Sequence, residues 1–200
     1  VQCSGALGVG LLAPLAASLI QMAIMPPAYP FAGGVPDVRG VAFAVEAEDD
    51  DLRAVLLALV DALGGTPLII PPGGKAQYHA ALTIASNYAV TLYSLAERLL
   101  VALDIPAAGA DQALNGLLAG TVGNLRAQGL PDALTGPLAR ADLGTLRLHL
   151  RALESVDPEI AALYADLARQ TYPLLRARGV GTDAIEQLLK EEETHAFDRA

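Results

Sequence analysis

The chain has 200 residues, of which 53% are hydrophobic, and thirteen basic against twenty-two acidic side chains give a formal net charge of −9. A nucleic-acid-binding surface needs a positively charged patch, so this balance argues against that class of function. The single cysteine, Cys3, can form no internal disulfide, which is typical of a reducing compartment and predicts a cytoplasmic protein.

The first 72 residues alternate between strand-like and helix-like segments. Apolar runs typical of strands occur at Val1–Cys3, Gln21–Met25, Gly40–Ala47 and Leu68–Ile70. The last two are continuous enough to predict strands buried on both faces. Helical spacing predicts a helix over Leu11–Ile20 and another from Asp49 to about Leu63, whose three aspartates provide an N-cap and a negative first turn. This alternation predicts an α/β layout.

From Gly73 onward the pattern becomes helical throughout. The spacing predicts one long helix from Lys75 to about Ile105, and then shorter helices at Ala110–Ala127, Leu143–Ser155, Pro158–Arg178 and Thr182–Glu193, with a polar loop over Gly129–Asp142. The change of pattern predicts two domains, 1–72 and 73–200. The uncharged stretches near the N-terminus and after Lys75 contain too many prolines or polar residues for a membrane span.

Lys75 and His79 form the first candidate pair for chemistry. They lie four residues apart and therefore share a face of the predicted helix, next to the domain boundary. A lysine at the positive end of a helix dipole has a lowered proton affinity. Together the two side chains can protonate a carbonyl oxygen while a hydride is delivered to its carbon. The alternative interpretation is a solvated lysine and a hydrogen-bonded core histidine.

The other polar candidates allow two interpretations each. Asn87 and Asn124 can lie at the border of a cleft, or their amides can form hydrogen bonds between helices. Arg140, in the loop that contains Thr135, can bind a carboxylate or form an ion pair with Asp142. His149 and His195 have no partners at metal-ligand spacing, so we predict surface histidines and no metal site. Gly8-Val9-Gly10 is not a dinucleotide fingerprint, because Ala13 stands where the third glycine belongs and no acidic residue follows about 20 positions on.

Four motifs occur in a characteristic order: Lys75 to His79, Ala85 to Tyr88, Gly120 to Asn124, and Ala133 to Asp142. The set resembles a family of Rossmann-like oxidoreductases that depend on NAD or NADP. The helical C-terminal half of that family is a domain of unknown function, and the family is related to 6-phosphogluconate dehydrogenase and the β-hydroxyacid dehydrogenases. The resemblance implies an α/β plus all-α fold: the C-terminal portion of a Rossmann domain, then a 6-phosphogluconate-dehydrogenase-like helical domain for substrate binding and dimerisation.

The resemblance also implies roles for particular residues. Lys75 matches the catalytic lysine of the β-hydroxyacid dehydrogenases, and His79 takes the place of their asparagine four residues later. Ser4 and Gly5 match the strand end that faces the nicotinamide. Asn87, Asn124, Thr135 and Arg140 become candidates for binding a small carboxylate-bearing 2-oxo or hydroxy acid. The partners expected are this small molecule and a second copy of the chain in a homodimer.

Three departures from the family pattern give an alternative function. Pro26 stands where a histidine is usual, and Ala141 stands where glycine is usual. The phosphate-binding first half of the Rossmann domain is also missing. We therefore expect the chain to be a fragment that, alone, binds the dinucleotide poorly. The alternative is a non-catalytic dimerisation or metabolite-sensing module that retains the fold.

Overall fold

The computed structural model describes residues 1–5, 12–14, 21–33 and 37–197. These residues form two compact units, Val1–Leu92 and Tyr93–Ala200. The helix that begins at Lys75 therefore lies, in its first part, within the unit that contains the strands. The domain boundary predicted after residue 72 rests on the change of sequence pattern and stays a prediction. Residues 6–11, which include Gly8-Val9-Gly10, and most of the helix predicted over Leu11–Ile20 lie outside the described residues.

The first unit contains a small mixed sheet of three strands: β1 (Ala23–Ile24), β2 (Ala42–Ala47) and β3 (Thr66–Ile69). They lie in the order β1-β2-β3, with β1 antiparallel and β3 parallel to β2. Gln2 adds a parallel bridge to Ile24. All four strand-like segments of the sequence therefore take part in β pairing, and the α/β prediction for this region is confirmed in outline.

Helix α1 (Asp50–Ala62) connects the parallel strands β2 and β3 and covers one face of the sheet. Asp49 is its N-cap, and the carboxylate accepts a hydrogen bond of 2.7 Å from the backbone N–H of Leu52, as predicted. Side chains alternate between the two faces of a strand, so one set of β2 residues packs against this helix. The resulting core contains Ala23, Met25, Phe43, Val45, Ala47, Leu56 and Val60.

The sequence predicts that the strand Leu68–Ile70 is buried on both faces, and this prediction of burial is wrong. Strand β3 forms, but Leu68 is 38% exposed and Ile69 is 64% exposed. Among the described residues β3 is the edge of the sheet, with a neighbour only on the β2 side. A run of three apolar residues carries no information on whether a strand is central or at an edge, because its backbone pairing depends on distant parts of the chain.

The remaining elements are helices, and residues 73–197 contain no strand, as predicted. They are α2 (Lys75–Ala85), α3 (Asn87–Val101), α4 (Ala107–Gln128), α5 (Gly136–Ala139), α6 (Leu143–Val156), α7 (Pro158–Gln170), α8 (Tyr172–Ala177) and α9 (Asp183–Phe197). The short helix α5 lies inside the segment predicted as a loop. No helix in the described part of the chain is long and apolar enough to cross a membrane. The predicted cytoplasmic location stays a prediction.

Two helices predicted as continuous are interrupted. The helix from Lys75 breaks at Ser86, whose backbone angles are φ −114° and ψ −68°, and it ends at Val101 rather than Ile105. The helix from Pro158 breaks at Thr171. Pro173 explains the second break, because a proline has no N–H to donate and its ring collides with the carbonyl one turn earlier.

The core of the second unit lies between helices α6, α7, α8 and α9. It consists of Leu146, Leu150, Ala165, Ala168, Tyr172, Leu175, Ile185, Leu188 and Leu189. Ion pairs between α6 and α9 accompany this packing at the surface, among them two contacts of 3.0 Å from the Arg151 guanidinium to the Glu192 carboxylate. The long, exposed helix α4 contributes only Ala110 to the buried residues.

Candidate functional site

A groove in the first unit gathers several of the residues selected from the sequence. Its volume, counted over the described residues, is about 680 Å³. Three segments form it: the chain after the Gln2 bridge, the loop that follows β1, and the stretch from α2 into α3. We call it the His79 groove. Its lining residues are Cys3, Gly5, Pro27, Ala28, Tyr29, Pro30, Phe31, His79, Leu82, Thr83, Ala85, Ser86 and Asn87.

The loop after β1 forms an aromatic wall of the groove. The rings of Tyr29 and Phe31 meet edge to face, with centroids 5.2 Å apart and planes at 63°. They are 42% and 55% exposed. An aromatic pair of this geometry gains stability beyond simple burial and offers a flat apolar surface to a ligand. Neither Tyr29 nor Phe31 is among the site residues selected from the sequence.

The imidazole of His79 is one of three acid or base groups in the groove, beside the thiol of Cys3 and the phenol of Tyr29. The side chain is half-buried, and its Nδ1 atom is buried with no hydrogen-bond partner among the described residues. Gly5 lies against it, since a Cβ atom built on Gly5 would come within 3.3 Å of Nδ1. A glycine at the strand end therefore allows the backbone to approach the imidazole closely. The alternative interpretation, a core histidine whose ring nitrogens are both hydrogen-bonded, therefore fails at Nδ1.

Lys75 lies one helical turn before His79 and does not line the groove. Its side chain is only 5% exposed, so the alternative of a solvated lysine is wrong. The Nζ atom has no hydrogen-bond partner among the described residues and lies 4.9 Å from the centroid of the Tyr78 ring. Burial lowers the pKa of Lys75, and the negative charge of Glu46 acts in the opposite direction. The chain thus holds an ammonium group in an environment that disfavours its charge.

Ser86 and Asn87 lie at the break between α2 and α3 and border the groove. The break places a hydroxyl and an exposed amide at the C-terminal end of α2, the helix that carries His79. Ser4 is half-buried beside Gly5 but is not one of the groove residues. Of the residues selected from the sequence, the groove therefore unites Gly5, His79 and Asn87.

The other selected residues belong to the second unit. Asn124 is half-buried on α4, while Thr135 and Arg140 are exposed at the two ends of α5. Their participation in a site stays a prediction. No ion pair within 4.0 Å joins Arg140 to Asp142, both of which are described. The Asp142 carboxylate accepts hydrogen bonds from Thr145 instead, which lowers the pKa of Asp142. The positive charge of Arg140 still helps to lower this pKa.

The loop also shows why glycine is usual at the position of Ala141. Its φ angle is +50°, in the left-handed region that a residue with a Cβ atom adopts only at a cost. The hydrogen bonds of Asp142 to the N–H and hydroxyl of Thr145, which begin α6, hold the chain in this conformation. Ala141 therefore adopts a backbone conformation in which glycine would be more favourable.

Two polar residues that take part in the β pairing of the first unit, Gln2 and Glu46, are not among the candidates selected from the sequence. Gln2 Oε1 and Glu46 Oε2 are both buried with no hydrogen-bond partner among the described residues. A recognisable signal existed for Glu46, since it interrupts the apolar run Val41–Ala47 with the only charge of that strand. Buried ionisable groups are rare and often functional. Within the described residues, no group of three or more His, Cys, Asp or Glu side chains could hold a metal ion.

Two solved structures share the fold of this chain. Protein TM1727 from Thermotoga maritima superposes with a TM-score of 0.77 at 22% identity, covering 88% of this chain and 68% of that protein. The protein named "putative NADP oxidoreductase BF3122" from Bacteroides fragilis gives a TM-score of 0.66 at 21% identity, with 84% of this chain and 62% of that protein covered. The chain thus spans about two thirds of each neighbour's length.

Comparison with curated proteins gives no significant match. At the level of sequence, the profile of a family described as a domain of unknown function, DUF2520, matches residues 41–171. This match extends from β2 into the break after α7 and includes the Lys75–Asp142 motifs. Because it covers more than half of the chain, the chain belongs to the DUF2520 family.

Proposed function

We propose that the chain serves an NAD(P)-dependent oxidoreductase that acts on a small carboxylate-bearing 2-oxo or hydroxy acid. The observation that carries this proposal is the His79 groove, in which a glycine-terminated strand end, an aromatic loop and an imidazole meet. The shared fold with a protein named as an NADP oxidoreductase supports the general class of reaction. The substrate class rests on the resemblance to the β-hydroxyacid dehydrogenases.

The groove residues fit the nicotinamide end of such a cofactor. Small-molecule sites are commonly clefts of about 300–1,000 Å³ with apolar walls and a few polar groups, and the groove matches this description. Tyr29 and Phe31 offer flat surfaces for a ring, and Gly5 leaves room beside His79. No lysine or arginine lines the described groove, so it suits the neutral or ring portion of a dinucleotide rather than its phosphates.

A reduced nicotinamide supplies a hydride to the carbonyl carbon of a bound 2-oxo acid. The chain must then deliver a proton to the carbonyl oxygen, and we assign this role to His79, whose buried Nδ1 has no hydrogen-bond partner among the described residues. Lys75 lies one helical turn before His79 and makes no direct hydrogen bond to it, so a bridging water or substrate atom must carry a proton from the ammonium to the imidazole. In the oxidative direction the same pair accepts the proton of the alcohol. Asn87 can orient the substrate at the groove, and Asn124, Thr135 and Arg140 remain candidates for its carboxylate.

The test is cofactor binding and turnover by the whole natural protein. We expect NADPH or NADH to bind saturably in a fluorescence titration and to be oxidised in the presence of at least one small 2-oxo acid from a panel. His79→Ala should weaken turnover more than cofactor binding, because the imidazole acts on the substrate oxygen. Absence of binding for both nucleotides would contradict the proposal.

One observation favours the alternative, a metabolite-sensing module without turnover. Pro26, which stands where the family usually has a histidine, is fully buried and can neither donate nor accept a proton. The same titration separates the two functions. A protein that binds NADPH and a 2-oxo acid together, with no oxidation of the nucleotide, is a sensor rather than an enzyme.

Helix α4 supports the further proposal that two copies of the chain associate. Residues 112–125 of this helix carry no charge, and all of them are exposed except Leu114 and Asn124, which are half-buried. Leu117 is 70% exposed, and Val122 is 41% exposed. A helix that is neither charged nor covered is typical of a protein interface.

A second copy is the occupant that fits this helix. The charges nearest the stretch are Asp111 at one end and Arg126 at the other. Two such helices packed antiparallel about a twofold axis would therefore place opposite charges together at both ends. Twofold dimers are also the commonest soluble oligomers.

Replacing Leu117 and Val122 together by glutamate should convert the dimer into a monomer in sedimentation velocity. Four charges would then be buried at the twofold interface, at a cost of several kcal/mol that a standard interface cannot offset. Leu148→Glu, at a position on α6 that is 69% exposed, is the control and should remain dimeric. A wild-type protein that sediments as a monomer, or a double variant that stays dimeric, would contradict the proposal.

A further inference from the structure

Lys75 is a cation placed where three features of the fold disfavour its charge. Its side chain is only 5% exposed, and burial penalises an ammonium group. The Nζ atom makes no hydrogen bond to a described residue. Lys75 is also the first residue of α2, where the free backbone N–H groups give the helix end a partial positive charge. A charged lysine at this position therefore needs a compensating group.

The ring of Tyr78 is a group in direct contact with this ammonium. Nζ lies over the ring, 4.9 Å from its centroid. A cation within about 6 Å of an aromatic centroid is attracted to the negative face of the ring, and most strongly where water is excluded. The two residues lie three positions apart on α2, a spacing that brings side chains together on one face of a helix. The contact therefore follows from the sequence once α2 forms.

We infer that Tyr78 is a positioning residue for Lys75: the face of its ring holds the ammonium group in the buried site at the start of α2 and keeps it charged. The use of that ammonium as a proton source rests on the proposed function. The contact between the two side chains is a property of the folded chain and can be measured without turnover.

The ring of Tyr78, and not its hydroxyl group, has this role. The phenol oxygen is buried with no hydrogen-bond partner among the described residues, so it does not bind Nζ. Burial raises the pKa of Tyr78, which keeps the phenol neutral at physiological pH. Tyr78→Phe should therefore preserve the interaction, whereas Tyr78→Leu should abolish it.

Two other titratable groups bear on the charge of Lys75. The carboxylate of Glu46, on β2, favours the ammonium form but makes no hydrogen bond to Nζ. His79, one turn further along α2, makes no hydrogen bond to Nζ either. Both residues are unchanged in variants of position 78, so a change in the titration of Lys75 in those variants reports on the ring.

The titration of Lys75 can be followed directly, because Lys75 and Lys190 are the only lysines of the chain. Protein labelled with ¹³C in lysine gives one Cε signal for each, assigned with Lys190→Arg. In Tyr78→Leu the Lys75 midpoint should move to lower pH by about one unit or more, since the attraction that favours the ammonium is lost. In Tyr78→Phe it should stay close to the wild type. The Lys190 midpoint, on α9, should move in neither variant.

A fluorinated ring separates the attraction from packing. Trifluorophenylalanine has nearly the shape of phenylalanine, but its fluorine atoms withdraw negative charge from the face of the ring. Tyr78→trifluorophenylalanine should therefore lower the Lys75 midpoint relative to Tyr78→Phe. The same replacement of Tyr88, which is 56% exposed on α3, is the matched control and should have no effect. Equal Lys75 midpoints with the two rings at position 78 overturn the inference, and this comparison decides even if Tyr78→Leu does not fold.

Turnover of the same variants in the whole natural protein separates this inference from the proposed function. Because Lys75 supplies a proton during reduction, activity should fall as the pH rises through its pKa. The alkaline limb of the pH profile for NADPH oxidation should therefore move to lower pH in Tyr78→Leu and stay in place in Tyr78→Phe. Lys75 midpoints that follow the ring, in a protein that oxidises no NADPH, refute the proposed function and leave the inference intact. Turnover with a Lys75 midpoint that ignores the ring refutes the inference alone.

Discussion

Replacing Lys75 with methionine should lower the rate of NADPH oxidation by about 100-fold or more, the usual contribution of general acid catalysis. It should also leave the protein at least as stable as the wild type. Methionine matches the length of the lysine stem and has no charge to bury. Since Lys75 is 5% exposed and its Nζ makes no hydrogen bond to a described residue, the substitution removes a buried charged group that has only the ring of Tyr78 against it. The measurements are steady-state turnover and urea unfolding of the same samples.

Lys190→Met is the matched control for this prediction. It changes the only other lysine, whose side chain is 69% exposed and pairs with Glu186 across one turn of α9. We expect its turnover to equal that of the wild type. Equal turnover in Lys75→Met and the wild type would remove Lys75 from the mechanism. A loss of turnover together with unfolding would show that the lysine supports the fold instead.

Replacing Leu146 with alanine should lower the free energy of unfolding of the second unit by about 3 kcal/mol. The side chain is completely buried among the residues of α6, α7, α8 and α9, and truncating a buried leucine costs about 2–5 kcal/mol through lost burial and the cavity that remains. Urea unfolding followed by circular dichroism, at one fixed protein concentration, measures the change without a contribution from association.

Leu148→Ala provides the comparison on the same helix. Leu148 is 69% exposed, and a substitution at such a surface position usually changes stability by less than about 0.5 kcal/mol. The two variants lose the same atoms and the same helix propensity, so their difference isolates burial. Equal losses would mean that the core does not lie where α6 and α9 meet.

Local features of the fold could be predicted because their causes are local. Asp49 caps α1 through Leu52, and Asp157 with Pro158 starts α7, since the capping side chain and the helix it stabilises are only a few residues apart. Strand β2 was recognisable for the same kind of reason, as a continuous apolar run. The break at Thr171 had a visible cause in Pro173, whose effect on the preceding turn outweighs the helical spacing around it.

The burial of Lys75 and of the Glu46 carboxylate oxygen could not be predicted from the local sequence. Helical spacing places Lys75 and His79 on one face but does not tell which of them is buried, and lysine is usually exposed. The sequence therefore predicts that Lys75 is the proton donor and lines a cleft. In the structure His79 lines the groove, whereas Lys75 is buried and does not line it. Glu46 pairs with Ile24 of β1, a neighbour more than 20 positions away, and the burial of its Oε2 atom follows from such pairing rather than from the local sequence.

Strand β3 shows how an exposed apolar edge strand can avoid pairing with a strand of another molecule. The N–H groups of Thr66 and Ile70 donate to the carbonyl oxygens of Val41, just before β2, and Val45 within it, so by alternation the N–H groups of positions 67, 69 and 71 point away from β2. Two of these three are Pro67 and Pro71, which have no hydrogen to donate. A strand from another molecule would find a single donor on this side. The prolines therefore disfavour edge-to-edge aggregation. They do so by removing backbone hydrogen-bond donors rather than by adding a charged side chain.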